Sequence, residues 1–178
     1  MIHHAATRRD EEEFREFVTA RAGWLFKVAY FIAGDYHDAQ DLLQTSLAKL
    51  YVAWPRIERT QAADAYARKV LLRTYLSQRR LKRSTEVPVD VQDLAGRLAD
   101  PGGDHDLQLS LVEALRQLPP RNRAVVVLHY LEGHDNATIA DYLNTTPSAV
   151  KSLNSRSLGL LRAQLGESRE ALFSPQNQ

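Results

Sequence analysis

His37 and Asp41 stand one helical turn apart, a spacing that could hold a divalent metal. No third or fourth ligand recurs nearby at a workable spacing. His129 and His134 have no acidic partners arranged for general-base work. The chain has no cysteine, which excludes a disulfide framework and a Cys-based zinc site and fits a reducing cytoplasm. The residues therefore point away from an enzyme, with no catalytic group, metal or cofactor expected. What remains chemically expressive is a set of cations and short polar side chains, suited to phosphates and base edges.

The sharpest such set lies between Leu118 and Leu165, which reads as a helix-turn-helix. On a helical wheel, Leu153, Asn154, Ser157, Leu158, Leu160, Leu161, Gln164 and Leu165 fall within about 80° of Val150, an arc that is mostly apolar. Ser148, Lys151, Ser152, Ser155, Arg156, Gly159 and Arg162 occupy the opposite arc, with no large apolar side chain among them. A helix of this kind is shaped to lie in a DNA major groove. Lys151 and Arg156 could read guanine edges or hold phosphates, and Ser152 and Ser155 permit close approach.

The preceding residues supply the rest of the unit. Leu118-Pro119-Pro120 opens a helix, with proline where a missing N–H costs nothing, and Val125, Val126, Leu128 and Leu131 give it an apolar face. Asp135 is placed to cap a short helix over 136–143, with Ile139, Ala140 and Leu143 as its core stripe. Asn144 stands where the chain must reverse and tolerates the left-handed conformation. Thr146-Pro147 is a cap followed by proline at the first helical position, and Ser148 lies in a first turn that favours a phosphate.

A net charge of +1 conceals a partition. Arg68, Lys69, Arg73, Arg79, Arg80, Lys82 and Arg83 fall in a stretch without an acid, interleaved with Tyr66 and Tyr75, which could stack on bases. Glu86, Asp90, Asp93, Asp100, Asp104 and Asp106 follow at once, against Arg97 alone. Opposite blocks in neighbouring segments suggest a nucleic-acid surface beside an acidic tether.

The periodicity predicts an all-α protein of two small helical domains. Residues 1–10 read as a polar tail and 11–83 as a first helical domain. Residues 84–106 read as an extended acidic linker with one short turn near Asp93–Leu98. Residues 107–166 form the helix-turn-helix domain, and 167–178 a tail that frays. The first helix is apolar at helical spacing and ends at Gly34; the second runs from about Tyr36 to Trp54, stopped by Pro55; the third continues to about Arg83. On the second helix Ala39, Leu43, Ser46, Leu47, Leu50 and Trp54 share the core side. Asp38, Asp41, Gln44, Thr45 and Ala48 share the other, with Leu42 at the margin. That acidic face could serve as a docking surface for a basic helical partner or stand as a solvated face. No signal peptide is read at the N-terminus and no apolar run is long enough to cross a bilayer, so a soluble cytoplasmic protein without membrane insertion is expected.

Asp38-Ala39-Gln40-Asp41-Leu42-Leu43-Gln44 resembles the Asp-Ala-Glu-Asp-Leu-x-Gln motif in region two of the extracytoplasmic-function (ECF, group IV) sigma factors of bacterial RNA polymerase. Leu118-Pro119 through Arg123, Glu132-Gly133, Ile139-Ala140 and Val150-Lys151-Ser152 resemble region four, in the expected order. The resemblance covers roughly Glu12 to Leu165. It implies a sigma-70-family factor that binds core polymerase and directs promoter-specific initiation. Asp38, Asp41, Leu42, Gln44 and Thr45 would meet the β′ clamp helices, and a second contact would be the β flap. Ile57 and Arg59 in the loop 55–60, with Tyr66, Arg68, Lys69, Arg73, Arg79 and Arg80, would bind the melted −10 strand. Ser148, Lys151, Ser152, Ser155 and Arg156 would read the −35 duplex. An anti-sigma factor is a further implied partner, and chemistry stays with the polymerase. Arg73 stands where many members have asparagine, and Gln40 replaces the usual glutamate. The alternative reading is a helix-turn-helix regulator that binds operator DNA without being a polymerase subunit; it leaves the 38–44 face unexplained.

Overall fold

The computed structural model describes residues 8–57, 60–84 and 105–173, and every regular element among them is helical. The chain divides into two units, residues 1–96 and 97–178, each with its own core. Arg59 and nearly all of the acidic segment 84–106, including the turn expected near Asp93–Leu98, lie outside the described residues.

In the first unit α1 spans Arg8–Ala33, α2 Tyr36–Ala53 and α3 Thr60–Ser84. The expected polar tail is thus already helical from Arg8. Gly34 adopts φ +78° and donates its N–H to Tyr30 O at 2.8 Å, which terminates α1 where only glycine is unstrained. Asp35 then caps α2 by accepting from Asp38 N at 2.9 Å. A two-residue turn therefore joins α1 to α2, and the two helices pack as a hairpin. Pro55 ends α2 as expected, but a 3₁₀ turn over Trp54–Arg56 occupies the start of the expected loop, closed by Ile57 N to Trp54 O at 2.9 Å.

Phe17, Leu25, Leu50, Ala63 and Ala67 form a core cluster, flanked by Phe14, Val18, Trp24, Leu43, Leu47, Trp54 and Ile57. Polar links across it fix α3. Arg21 forks onto Asp64 at 2.9 and 3.0 Å, and Lys49 reaches Thr74 Oγ1 at 3.1 Å.

The second unit holds α4 (His105–Arg116), α5 (Pro120–Val126), α6 (Asn136–Leu143) and α7 (Pro147–Phe173). Arg123 is buried and donates to Arg116 O at 2.8 Å and Leu118 O at 3.2 Å, satisfying carbonyls at the end of α4. One π-helical turn over Val127–Leu131 continues α5 and is not legible in the periodicity. The turn that follows is held by His134 N to Leu128 O at 3.0 Å and by the contact of His129 Nδ1 with His134 O at 2.7 Å. Gly133 stands there at φ +70°.

Local chemistry delimits α6 and starts α7 as the sequence predicts. Asp135 accepts from Thr138 N at 2.8 Å, Asn144 takes the left-handed conformation at φ 50°, and Thr146 Oγ1 accepts from Ala149 N at 3.2 Å. Arg121 adds a bond to Leu143 O at 2.9 Å. Beyond Gly166, where a fraying tail is expected, α7 continues to Phe173.

Ile139, Leu143, Val125, Leu128 and Val150 are buried in the second core. Ser157 is fully buried as well, accepting from Asn122 Nδ2 at 3.0 Å and donating to Leu153 O at 2.6 Å. Asn122→Ala would remove the donor to the buried Ser157 hydroxyl, which would keep only its own bond to Leu153 O. Chemical denaturation of the variant should show the second unit less stable by about 1–3 kcal/mol, and a change below about 0.3 kcal/mol would remove this bond from the account of α7 docking.

Candidate nucleic-acid interface

The outer face of α7 consists of Ser148, Lys151, Ser152, Ser155, Arg156, Gly159 and Arg162, all exposed. Each nominated −35 residue is on it. The opposite side carries Val150 and Ser157 in the core with Leu153, Asn154, Leu158, Leu161 and Gln164 half-buried. Leu160 departs from its expected place: it is 45% exposed, because at the edge of the core arc no described helix covers it. Arg162 belongs to the exposed cationic face too, and the same wheel that placed Lys151 locates it.

On α3 the nominated residues part onto two sides. Tyr66, Lys69, Arg73 and Arg80 recur at helical spacing and share one face with Ser77. Tyr66, Arg73 and Arg80 are exposed and Lys69 half-buried. A basic stripe with an exposed ring can neutralise phosphates and stack on an unpaired base. Arg68 and Arg79 face the other way. The Arg68 guanidinium lies 4.3 Å from the centre of the Trp24 ring, and Arg79 donates to Ala33 O at 2.8 Å and to Asp38 Oδ2 at 3.3 Å. These two are committed to holding the unit together. Tyr75, read from the sequence as a base-stacking ring, is a core residue at 2% exposure. Ile57 packs against the core cluster beside Trp54.

On α2, Asp41 and Gln44 are exposed and Thr45 is half-buried on the same side. Leu42 is 1% exposed, so it supports this face from beneath and cannot be a contact. The periodicity put it at a margin; α3, which passes over that margin, decides the matter. Asp38 is half-exposed and ion-paired to Arg79 and to Lys82 at 2.8 Å. The exposed stripe runs on past Gln44 to Ala48 and to Val52, which is 78% exposed. Val52 is legible on the same wheel once the helix is followed to its end.

Among the described residues no group of three His, Cys, Asp or Glu side chains could hold a metal, and no helix is long and apolar enough to cross a membrane.

Two family models match the chain: "Sigma-70 region 2" over residues 17–85 and "Sigma-70, region 4" over residues 108–161. The chain is 37% identical over 153 residues to a protein named RNA polymerase sigma-E factor in Streptomyces coelicolor, covering 86% of each. It is 36% identical over 158 residues to the protein of that name in Streptomyces avermitilis, covering 89% of this chain and 87% of the other. Among solved structures, the sigma factor RpoE of Bartonella quintana, in complex with the anti-sigma factor NepR, is similar with a TM-score of 0.71. The two are 23% identical, and the match covers 87% of this chain and 98% of the other. CnrH in complex with the cytosolic domain of CnrY matches with a TM-score of 0.61 at 18% identity, over 88% of this chain and 90% of the other. Both likenesses concern the fold.

The entry to α6 carries a charge-dependent cap. Hydrogen bonds from Thr138, first its backbone N–H and then its side chain, hold the Asp135 carboxyl below its usual value, and His134 adds to the effect. Since the folded state binds this proton more weakly, the contribution is complete above about pH 4 and is lost as pH falls through the lower folded value. Acid titration of the thermal midpoint should therefore fall less steeply below about pH 4 in Asp135→Ser, which keeps a neutral cap, than in the native chain.

Proposed function

This chain belongs to the sigma-70 family, in its extracytoplasmic-function branch, and from that premise we propose that its two units read two promoter elements in two forms of DNA. A sigma factor directs RNA polymerase to promoters and supplies no catalytic group of its own. In the proposed division, α7 enters the major groove of the −35 duplex through Ser148, Lys151, Ser152, Ser155 and Arg156. Tyr66, Lys69, Arg73 and Arg80 on α3 hold the melted −10 strand, with Ile57 and Arg59 contributing from the segment before α3. Asp41, Gln44 and Thr45 on α2 dock on the polymerase β′ clamp helices, and the second unit takes the β flap.

The observation that carries the reading is the pair of exposed cationic helix faces on separately cored units. Lys151 and Arg156 come with short serines, which suits a groove. Lys69, Arg73 and Arg80 come with an exposed tyrosine, which suits unstacked bases. A free-standing operator-binding regulator would need only the first. The Bartonella protein was solved with an anti-sigma factor, and we extend that kind of partner to this chain. Assembly on polymerase places it in the cytoplasm.

Run-off transcription tests the proposal: with core polymerase, the chain should initiate at a promoter that core alone ignores. Lys151→Ala with Arg156→Ala should lower initiation about tenfold or more at −35-dependent promoters while core affinity stays constant. Equal loss on promoters with and without a −35 element would count against the assigned face. Asp41→Arg with Gln44→Arg should abolish holoenzyme formation in a fluorescence binding assay; unchanged affinity would remove α2 as the docking helix.

A further inference from the structure

Asp38 and Arg79 read from the sequence as contacts on two different surfaces, one for polymerase and one for DNA, yet in the fold they meet. Both carboxylate oxygens of Asp38 are taken: Oδ1 accepts from Lys82 Nζ at 2.8 Å and Oδ2 from Arg79 Nη2 at 3.3 Å. Its backbone N–H is held by the Asp35 cap at 2.9 Å. The same Arg79 nitrogen donates to Ala33 O at 2.8 Å. Ala33 is the last residue of α1, a helix with no basic residue in its final turn, so α3 supplies the cation that its terminal carbonyls favour. One guanidinium therefore grips both sides of the Gly34–Asp35 connection, the end of α1 and the first turn of α2. Asp41, three residues on, is exposed and pairs with no described cation.

We propose that Asp38 is a positioning residue for polymerase docking, held by Arg79 and Lys82, and that the partner meets Asp41, Gln44, Thr45, Ala48 and Val52 instead. The inference rests on the reading of α2 as the docking helix. The latch sets the direction in which α2 leaves the turn, and with it the presentation of the stripe that runs from Asp41 to Val52. Charge on Asp38 then matters to the polymerase through the internal pairs. The partner chemistry that fits the stripe is a helix offering a cation or amide to Asp41 and Gln44 and an apolar side chain to Ala48 and Val52.

A double-mutant cycle on the full chain, with core polymerase affinity as readout and all variants well below their melting temperatures, tests it. Asp38→Asn should weaken core affinity about threefold to tenfold in the native chain. In an Arg79→Ala, Lys82→Ala background it should change affinity by less than about twofold. Asp41→Asn should cost the same factor in both backgrounds, and Arg79→Lys should retain most of the native affinity. In holoenzyme formed at saturating core, Arg79→Ala should bind a melted −10 strand as the native chain does. An Asp38→Asn penalty that is equal in both backgrounds, or absent from the native chain, overturns the proposal, as does a loss of −10 affinity in Arg79→Ala. If the native chain itself failed to bind core polymerase, the docking reading of α2 would fall instead.

Discussion

The rotation of α7 about its own axis is set by a buried polar contact. Ser157 is enclosed in the second core, and the Asn122 amide meets its hydroxyl at 3.0 Å. A buried amide without an acceptor is costly, so rotations of α7 that take the Ser157 hydroxyl away from Asn122 are disfavoured by more than lost packing. Val150, two turns earlier, is also fully buried and confirms the same rotation. With these two positions committed inward, Lys151, Ser152, Ser155 and Arg156 have no direction left but outward. The exposed cationic face is thus a consequence of what the core takes. Arg121 and Arg123, on either side of Asn122, end neighbouring helices by bonding Leu143 O and Arg116 O, so a short run of α5 organises much of the unit.

The first unit shows the opposite use of charge. Its third helix is dense in cations, and a count of them says nothing of their employment. Arg68 lies over Trp24 and Arg79 closes on Ala33 O and Asp38, while Arg73 and Arg80 face solvent. Half-buried guanidinium groups lose water on one side and need ring faces or carbonyls in exchange. The basic block of the sequence is therefore partly spent inside the fold, and Arg73 and Arg80 are left on one exposed stripe of α3.

What was legible in the sequence is what is decided within a few residues. Gly34, Pro55, Asp135, Asn144 and Thr146-Pro147 mark helix ends because capping and backbone freedom depend on local atoms. The polar arc of α7 was legible because a wheel resolves the middle of a face. Margins of a face are set by a neighbouring helix instead: Leu42 and Tyr75 turn out buried, Leu160 exposed. The division of Arg68 and Arg79 from Arg73 depends on where α1 and α2 lie, which no window of α3 contains. The π turn at Val127–Leu131 has no counterpart in a periodicity of 3.6 residues. The continuation of α7 to Phe173 shows a polar composition coexisting with helix.

That each unit carries its own core has a consequence for affinity. Two modules on one chain, each engaging a different element of the same target, bind by linkage: once one is seated, the other faces an effective concentration in place of a bulk one. Neither cationic face then has to be strong. On the proposed two-site reading, a weak grip at each site would still give a tight complex, one that could be undone a module at a time, so that release becomes stepwise where capture is joint.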